Sequence, residues 1–254
     1  MMDRASILGE LDARVPLTVV METTSTNDDA RIAAEGGAPH GATFIADAQT
    51  SGRGRGEHHW HSPPGCNVYL SMVLRPSLDP AVMAPLTLAV GVAVARVVDA
   101  HLAAPRARIK WPNDIWIDGR KVAGVLLEAT TRAGALPLVV AGVGMNVLLR
   151  TFPAELAESA TSLAIAGGVT LERERIAAEL VASLLDACAR FQREGFGGIY
   201  PELSARDGLR GRRVRVGSIE GIADGIDDRG RLVIVDEGGA RHPLWSGEVY
   251  TIAR

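Results

Sequence analysis

The sequence predicts an α+β protein in which a mostly antiparallel sheet is followed by a small β domain. Three observations support this prediction. Short β-rich segments recur on both sides of a long apolar stretch, one later segment has the apolar spacing of an amphipathic helix, and glycines become frequent between short strands after about Gly211. The chain has 254 residues, of which 47% are hydrophobic and 22% charged, which suffices for one substantial core with a small appended domain.

Composition and charge exclude several classes of protein. A formal net charge of -3 disfavours a chain that holds nucleic acid by overall electrostatics. The longest apolar window, residues 81–98, is broken by Pro85 and Gly91 and is too short to span a membrane, and the amino terminus has no signal-peptide pattern. Cys66 and Cys188 lie far apart and outside any metal-ligand spacing. We therefore expect a cytoplasmic protein that binds neither membranes nor nucleic acid.

The first part of the chain predicts a strand, a turn and a helix. Residues 16–21 are typical of a strand, and the turn sequence TSTN follows them. Thr26 and Asp29 have the spacing of a capping box, which would place Ser25, Thr26 and Asn27 at the entrance of a helix with free backbone N–H groups. Two β-rich segments, ATFIADAQ and NVYLSMVLR, come next and flank a loop rich in glycine and arginine.

The rest of the chain predicts two long helices, a meander of strands and a small barrel. We expect an apolar helix over 79–101 and an amphipathic helix over 172–194. Between them lie four strand-like segments, with Asp118-Gly119 as a hairpin turn. The short strands near the carboxyl terminus fit a small barrel, so we divide the chain into a domain of residues 1–208 and a domain of residues 209–254.

The loop QTSGRGRGEHHW, residues 49–60, favours an anionic ligand. Its alternating glycines let the backbone approach a ligand closely, and Arg53 and Arg55 supply fixed positive charge. The pattern is neither a Walker phosphate loop nor a dinucleotide fingerprint, so on its own it fits a flexible connector equally well. A metal cluster of the neighbouring histidines is disfavoured because no carboxylate or cysteine has a matching spacing.

A second polar segment, KWPNDIWIDGRKVAG, indicates a site for a polyphosphate. Asn113 and Asp114 offer oxygen atoms of the kind that Mg²⁺ prefers. The hairpin at Asp118-Gly119 would bring Lys121 back towards Lys110, and two lysines near such a carboxylate suit a nucleotide triphosphate. The alternative is a surface hairpin with solvated charges. The segment GVGMN, residues 142–146, adds a strand end where two glycines would admit a flat ligand.

In their order and spacing, these motifs resemble the biotin protein ligases, also called biotin-[acetyl-CoA-carboxylase] ligases. The resemblance rests on TSTN, QTSGRGRG with a following tryptophan, SPPGCNVYLSMVLRP, KWPNDIWIDGRKVAGVLLE and GVGMNV, and SGEV near the carboxyl terminus extends it. It implies a class II synthetase-like fold, with a central mixed, mostly antiparallel sheet, helices on one side and an SH3-like barrel. It also implies that biotin and ATP form biotinyl-5'-AMP and pyrophosphate, and that the biotinyl group then passes to a lysine of a biotin carboxyl carrier protein domain.

The resemblance also implies roles for individual residues. The residues implied to bind biotin are Ser25, Thr26, Asn27, Gln49, Gly52, Arg53, Gly54, Arg55, Lys121, Gly124, Gly142 and Gly144. Those implied to bind ATP are Arg55, Trp60, Lys110, Asn113 and Asn146. The implied catalytic groups, whose positive charge would stabilise the transition state, are Lys121, Arg53, Arg55 and Lys110. Asn113 and Asp114 would position Mg²⁺ with the triphosphate.

Two features distinguish this sequence within the resemblance. Only about fifteen residues precede the first predicted strand, so we expect a monofunctional ligase without an amino-terminal DNA-binding domain. The loop continues as Gly56-Glu57-His58-His59 where the family usually has further arginines, and we hypothesise that His58 partly replaces an arginine donor. The alternatives are a lipoate or octanoate ligase or transferase of the same superfamily, and a non-enzymatic RNA-binding protein. Both a monomer and a homodimer remain open.

Overall fold

A seven-stranded mixed sheet forms the larger part of the molecule. The computed structural model describes residues 2–11, 15–79, 83–130 and 137–252. The strand order is β1-β2-β3-β7-β6-β5-β4, with β1 parallel to β2 and the other neighbours antiparallel, which confirms the mixed, mostly antiparallel sheet. The strands are β1 Leu17–Thr23, β2 Thr43–Gln49, β3 Val68–Leu74, β4 Arg108–Lys110, β5 Asp114–Ile117, β6 Arg120–Thr130 and β7 Leu138–Met145.

Helices cover both faces of this sheet. On one face lie α3 Leu86–Ala100 and α4 Arg173–Glu194, with the short helices α1 Arg4–Gly9 and α5 Tyr200–Ala205 packed beside them. On the other face, α2 Thr26–Glu35 packs Ala30 and Ala34 against Val73 and Val140. Because both faces of β3 are covered, all of its residues are buried and it shows no polar alternation. The structure thus adds α2 to a face that the predicted arrangement left without a helix.

The predicted amphipathic helix is confirmed as α4, and the five apolar positions whose spacing predicted it are all buried: Ile176, Leu180, Leu184, Ala187 and Phe191. The predicted apolar helix over 79–101 begins later than expected, at Leu86. Pro85 is its N-cap residue, and proline disfavours helical geometry in the residue before it. Residues 80–82 of that prediction lie outside the described residues.

The capping box predicted at the start of α2 is wrong. The N-cap residue is Ser25, whose side chain makes no capping hydrogen bond, and Thr26 is the first helical residue. The cap comes instead from a strand: Thr26 N donates to Gln49 Oε1 at 2.9 Å, and Thr26 Oγ1 donates to the same oxygen at 3.2 Å. A side chain far along the chain therefore does the work that the local spacing assigned to Asp29.

The Asp118-Gly119 hairpin is confirmed. Both residues have positive φ, 50° and 81°, as a two-residue turn between antiparallel strands requires. The turn pairs β5 with β6, and Asp114 lies opposite Gly124 in that pairing. The hairpin therefore places Asp114, the last residue of KWPND, and Lys121 on neighbouring strands.

A second, five-stranded antiparallel sheet follows, in the order β11-β10-β9-β8-β12. Its strands are β8 Arg213–Val216, β9 Ile219–Ile226, β10 Leu232–Val235, β11 Arg241–Leu244 and β12 Tyr250–Thr251. The small β domain is thus present, and closure of its sheet into a barrel stays a prediction. Trp111 Nε1 donates to Gly230 O at 3.0 Å and ties this sheet to the larger one. Within the described residues, no helix is long and apolar enough to cross a membrane.

Candidate active site

One cavity of about 1010 Å³ brings together nearly all the predicted site residues. It lies on the sheet face that carries α2, between the glycine-arginine loop, the β5–β6 hairpin and residues 246–251. Gly52 is the exception, because it packs beneath the loop against Ser62, Trp60 and Gln49. The predicted residues that line the cavity are Ser25, Thr26, Asn27, Gln49, Arg53, Gly54, Arg55, Trp60, Lys110, Asn113, Asp114, Lys121, Gly124, Gly142, Gly144 and Asn146.

Several lining residues were not predicted. They include Ser71 on β3, the segment around Phe152 and Leu156, and part of the carboxyl-terminal sheet. Ser71 carried a usable signal, since it is a polar residue inside an otherwise apolar strand. The segment 152–160 carried none, because it reaches the site through backbone pairing of Lys121 with Ser159 and Thr161.

The amino end of α2 forms a polar wall. Thr26 and Asn27 are buried beside Ser71, whose hydroxyl donates to Thr26 Oγ1 at 2.8 Å or to Asn27 Oδ1 at 2.6 Å. Gly142 lies on β7 opposite Ser71, and a Cβ there would be 2.0 Å from Asn27 Oδ1. Glycine at this position is therefore what allows α2 to approach the sheet.

The glycine-arginine loop folds as a small hairpin. Gly54 N donates to His58 O at 2.7 Å and Trp60 N donates to Gly52 O at 2.8 Å, while Arg53 and His59 form an isolated bridge. A Cβ at Gly54 would be 3.0 Å from His58 O, so the close pairing favours glycine there. These bonds pair the two halves of the loop with each other.

Trp60 packs against two glycines of the sheet. Gly124 on β6 and Gly144 on β7 are opposite each other, and a Cβ at Gly144 would be 2.3 Å from Trp60 Cε2. The Lys121 ammonium lies 5.1 Å from the centroid of the same indole. The tryptophan thus occupies the place against the glycines where a flat ligand was expected. Its Nε1 is buried and has no hydrogen-bond partner among the described residues.

The two lysines differ in their surroundings. Lys121 Nζ lies 2.6 Å from Asp114 Oδ1, which confirms the expected approach of the hairpin to KWPND. Lys110 Nζ lies 5.2 Å from the centroid of Trp116. Burial lowers the pKa of Lys110 below its usual value, and the nearby charge of Lys121 lowers it further, whereas Asp114 and Glu248 oppose this shift. The site therefore holds one ammonium in an ion pair and one that is partly desolvated.

Two predicted polar ligands are engaged within the protein. Asn113 Nδ2 donates to Val125 O at 3.0 Å, and the side-chain oxygen of Asn113 has no hydrogen bond among the described residues. Asn146 is buried, donates to Thr161 O at 3.0 Å and accepts from Asn67 Nδ2 at 3.3 Å. Asn146 therefore fixes the segment that follows β7 as well as lining the cavity. Its role towards ATP stays a prediction.

The loop contacts the carboxyl-terminal sheet through two side chains. Arg55 Nη1 donates to Gly247 O at 2.7 Å. His58 Nε2 lies 3.4 Å from Glu248 Oε1, with side chains 68% and 51% exposed, so this pair is solvated and weak. The Glu248 pKa is held below its usual value by a hydrogen bond from Tyr250, with a smaller contribution from His58. The hypothesis that His58 replaces an arginine donor stays a prediction.

Asp114 and Asn113 form a small oxygen donor set. One carboxylate and one amide oxygen suit a Mg²⁺ ion that is held mainly by phosphate oxygens and water. Across the described part of the chain, no group of three or more histidine, cysteine, aspartate or glutamate residues could hold a metal ion by itself. The residues present thus fit a metal that arrives with a nucleotide.

The fold and the site define an enzyme that binds a small molecule between a polar wall and a cluster of cations. The binding site lies on the face of the mixed sheet that exposes Gly124, Gly142 and Gly144 to the cavity. The chain matches the Biotin/lipoate A/B protein ligase family over residues 19–146 and the Biotin protein ligase C terminal domain over residues 210–251. It belongs to the Biotin/lipoate A/B protein ligase family.

Individual relatives agree with this assignment. The chain is 37% identical to a biotin--[acetyl-CoA-carboxylase] ligase of Mycobacterium tuberculosis, over 97% of this chain and 92% of that protein. It is 33% identical to the bifunctional ligase/repressor BirA of Escherichia coli, over 98% of this chain and 78% of that protein. Among solved structures, the biotin protein ligase from Aquifex aeolicus in complex with biotin and ATP superposes with a TM-score of 0.79 at 26% identity, covering 95% of this chain and all of that one.

Proposed function

We propose that this protein is a biotin-[acetyl-CoA-carboxylase] ligase. It joins biotin to ATP to give biotinyl-5'-AMP and pyrophosphate, and then transfers the biotinyl group to a lysine of a biotin carboxyl carrier protein domain. The observation that carries the proposal is the single cavity that combines a buried polar wall with Arg55, Lys110 and Lys121. The relatives and the Aquifex structure with biotin and ATP support the same function.

The polar wall suits the uncharged ring of biotin. Ser25, Thr26 and Asn27 are buried, and Gln49 joins them through its bonds to Thr26. A buried polar group without a partner costs roughly 1 to 3 kcal/mol, so hydrogen bonds here discriminate between ring structures far better than apolar contact does. A polar wall of this kind suits biotin better than lipoate or octanoate, which lack its ureido group.

The cationic end suits the reacting groups. The carboxylate of biotin attacks the α-phosphorus of ATP, the bond between the α- and β-phosphates breaks, and pyrophosphate leaves. Positive groups must offset the repulsion between the two anions and stabilise the charge that develops in the transition state. We assign this role to Lys121, Arg55 and Lys110, with Lys121 as the first choice for the residue that bridges both reactants. The Lys121 ammonium is held by Asp114 and lies beside the Trp60 ring.

Trp60, Asn113 and Asn146 are proposed to contact the nucleotide. The Trp60 ring offers an aromatic face and an unpaired N–H group beside the lysines. Asp114 and the carbonyl oxygen of Asn113 would hold Mg²⁺ together with the triphosphate. The ion would supply neutralisation of phosphate charge.

The acceptor and the domain division belong to the same proposal. In the second step the lysine amine of the carrier attacks the acyl carbon of the adenylate and AMP leaves. We propose residues 1–208 as the catalytic domain, residues 209–254 as an SH3-like domain, and the cytoplasm as the place of the reaction. The match of the Biotin protein ligase C terminal domain over residues 210–251 supports the division.

Biotin-dependent exchange of pyrophosphate into ATP tests the first step. We expect exchange with pure protein, Mg²⁺ and biotin, and none without biotin. Exchange that is absent, or that does not depend on biotin, would refute the proposal. A thermal-shift comparison of biotin, lipoate and octanoate tests the alternative ligases, and stabilisation by lipoate or octanoate but not by biotin would favour them.

A further inference from the structure

Glu128 lies beside the cavity and has no role in the proposed reaction. It is on β6 opposite Val140, on the same face of the sheet as Gly124 and the cavity. Its Oε2 accepts a hydrogen bond from Asn27 Nδ2 at 2.7 Å and is paired with Arg53 Nη2. One carboxylate oxygen thus joins the start of α2, the glycine-arginine loop and a central strand.

The contacts of Arg53 change what this residue can supply. Its guanidinium faces two carboxylates, Glu128 in direct contact and Asp28 at 3.5 Å. The side chains of Arg53 and Glu128 are only 35% and 34% exposed, so water screens this pair less than a fully exposed one. Much of the positive charge of Arg53 is therefore compensated within the protein before any anion binds. Arg55 has no carboxylate partner among the described contacts and donates to a backbone carbonyl.

The contacts of Asn27 point in the same direction. Its Oδ1 lies 2.6 Å from the Ser71 hydroxyl, and its Nδ2 donates to Glu128. The contact with Glu128 fixes which way the amide faces, because exchanging its oxygen and nitrogen would place the amide oxygen against a carboxylate, whereas the Ser71 hydroxyl can either donate or accept. Asn27 also packs against Gly142, so its side chain has little freedom to shift.

We propose that Glu128 is a positioning residue for the biotin site, and that Arg53 serves the site as a loop anchor rather than as a source of positive charge for the reacting groups. Glu128 holds the Arg53 loop against α2 and keeps the Asn27 amide in one orientation. The inference deepens the proposed function and rests on it.

Four variants test the inference in the full-length protein: Glu128→Gln, Arg53→Gln, Arg53→Lys and the double variant Glu128→Gln/Arg53→Gln. Glutamine keeps the size of Glu128 and removes its charge. The matched control is Glu35→Gln on α2, away from the cavity. It removes one of the two carboxylate partners of Arg31, at 3.3 Å, and leaves the other, Asp28. The measured quantities are the KM for biotin and the kcat of pyrophosphate exchange.

We expect each single variant to raise the KM for biotin about 5- to 10-fold, because the change acts on ligand placement. The kcat should fall by no more than about threefold. The double variant should resemble a single one, since the two residues act as a unit. Arg53→Lys should behave like Arg53→Gln, because Arg53 Nη2 contacts Glu128 and Asp28 together, whereas lysine keeps the charge on a more flexible and more strongly hydrated ammonium. Glu35→Gln should match the unchanged protein.

A charge-supplying Arg53 gives the opposite pattern. Arg53→Gln would then lower kcat strongly, Arg53→Lys would retain it, and Glu128→Gln would leave kcat unchanged or raise it by freeing the guanidinium. That pattern overturns the inference. So does a double variant whose effect is the product of the single effects.

A ligand-free measurement separates this inference from the proposed function. The rate of limited proteolysis within residues 49–60 should rise in Glu128→Gln and Arg53→Gln, with no further rise in the double variant, and should not change in Glu35→Gln. If the unchanged protein shows no biotin-dependent exchange, the proposed function fails, and the proteolysis still decides whether Glu128 anchors the loop. Equal cleavage rates in all variants would refute the anchor.

Discussion

Replacement of Gly144 by alanine perturbs the contact between Trp60 and the sheet. The added Cβ would lie 2.3 Å from Trp60 Cε2 and 2.5 Å from Nε1, whereas unstrained carbon contacts are about 3.5 to 4.0 Å. The strand that carries Gly144, β7, is paired on both edges and cannot shift, so the indole must move away by more than about 1 Å. Overpacking of this kind costs about 1 to 3 kcal/mol, which corresponds to about 5- to 150-fold in an equilibrium constant.

The glycines of the site form a graded series for this experiment. A Cβ at Gly124 would meet Trp60 Cζ3 at 3.1 Å and the movable end of Lys121 at 3.0 Å, so Gly124→Ala should be milder. Gly9 has nothing within 4 Å of an added Cβ, and Gly9→Ala is the control. We expect the KM for ATP in pyrophosphate exchange to rise at least about 5-fold in Gly144→Ala, less in Gly124→Ala, and not in the control.

Thermal unfolding of the same variants shows whether the effect is local. The strain is confined to a loop side chain over the sheet, so we expect the Tm to fall by a few degrees at most while the protein stays folded. A Gly144→Ala protein with KM values within twofold of the control would mean that the Trp60 ring moves without cost, and would refute its proposed role as a fixed wall of the nucleotide site.

Three further predictions concern charge and burial elsewhere in the molecule. Asp47 and Arg173 form a buried ion pair at 2.8 Å, so Asp47→Asn should lower the free energy of unfolding in denaturant by about 3 to 5 kcal/mol; a loss below about 1 kcal/mol would contradict this. Burial lowers the Lys110 pKa, so its protonated, active form should disappear at lower pH than for an ordinary lysine, and Lys110→Arg should move the alkaline limb of kcat/KM upward, whereas an unmoved limb would exclude Lys110 as its cause. Burial raises the pKa of Cys188 to about 11, so iodoacetamide at pH 8 should leave this thiol unmodified in the folded protein, as peptide mass mapping would show; rapid alkylation would argue against its burial.

Local patterns predicted most of the secondary structure. The spacing of Ile176 and Leu180 identified the second long helix, and Asp118-Gly119 identified the hairpin, because helix periodicity and tight turns depend on neighbours in sequence. The motifs also indicated correctly that Lys121 approaches Asp114. These features are encoded within a few residues.

The errors and omissions arise where distant residues meet. Gln49 supplies the cap of α2 from a strand, so the capping-box spacing of Thr26 gave a wrong prediction. In the sequence, Glu128 is a single charged residue near the end of a predicted strand. Only the folded structure shows that it lies beside Arg53. Gly247 and Arg55, which also meet, are 192 positions apart in the sequence. No local pattern carries such contacts, because they depend on topology.

The four predicted cations therefore do not form one uniform positive field. Arg53 is paired with Glu128, Lys121 with Asp114, Arg55 with a backbone carbonyl, and Lys110 faces the Trp116 ring. An incoming carboxylate or phosphate must compete with Asp114 for the Lys121 ammonium, whereas Arg55 and Lys110 can accept it without displacing an anion. Ligand anions should therefore contact Arg55 and Lys110 first. The Lys121 ammonium should leave Asp114 and contact the reactants only when both biotin and ATP are bound.

Asp114→Asn would remove the competition of Asp114 for Lys121. We expect this variant to bind biotin more tightly in the absence of ATP, and its biotin binding to depend less on ATP. Titration calorimetry with and without a non-hydrolysable ATP analogue measures both quantities, and an unchanged coupling between the two ligands would contradict this order of events.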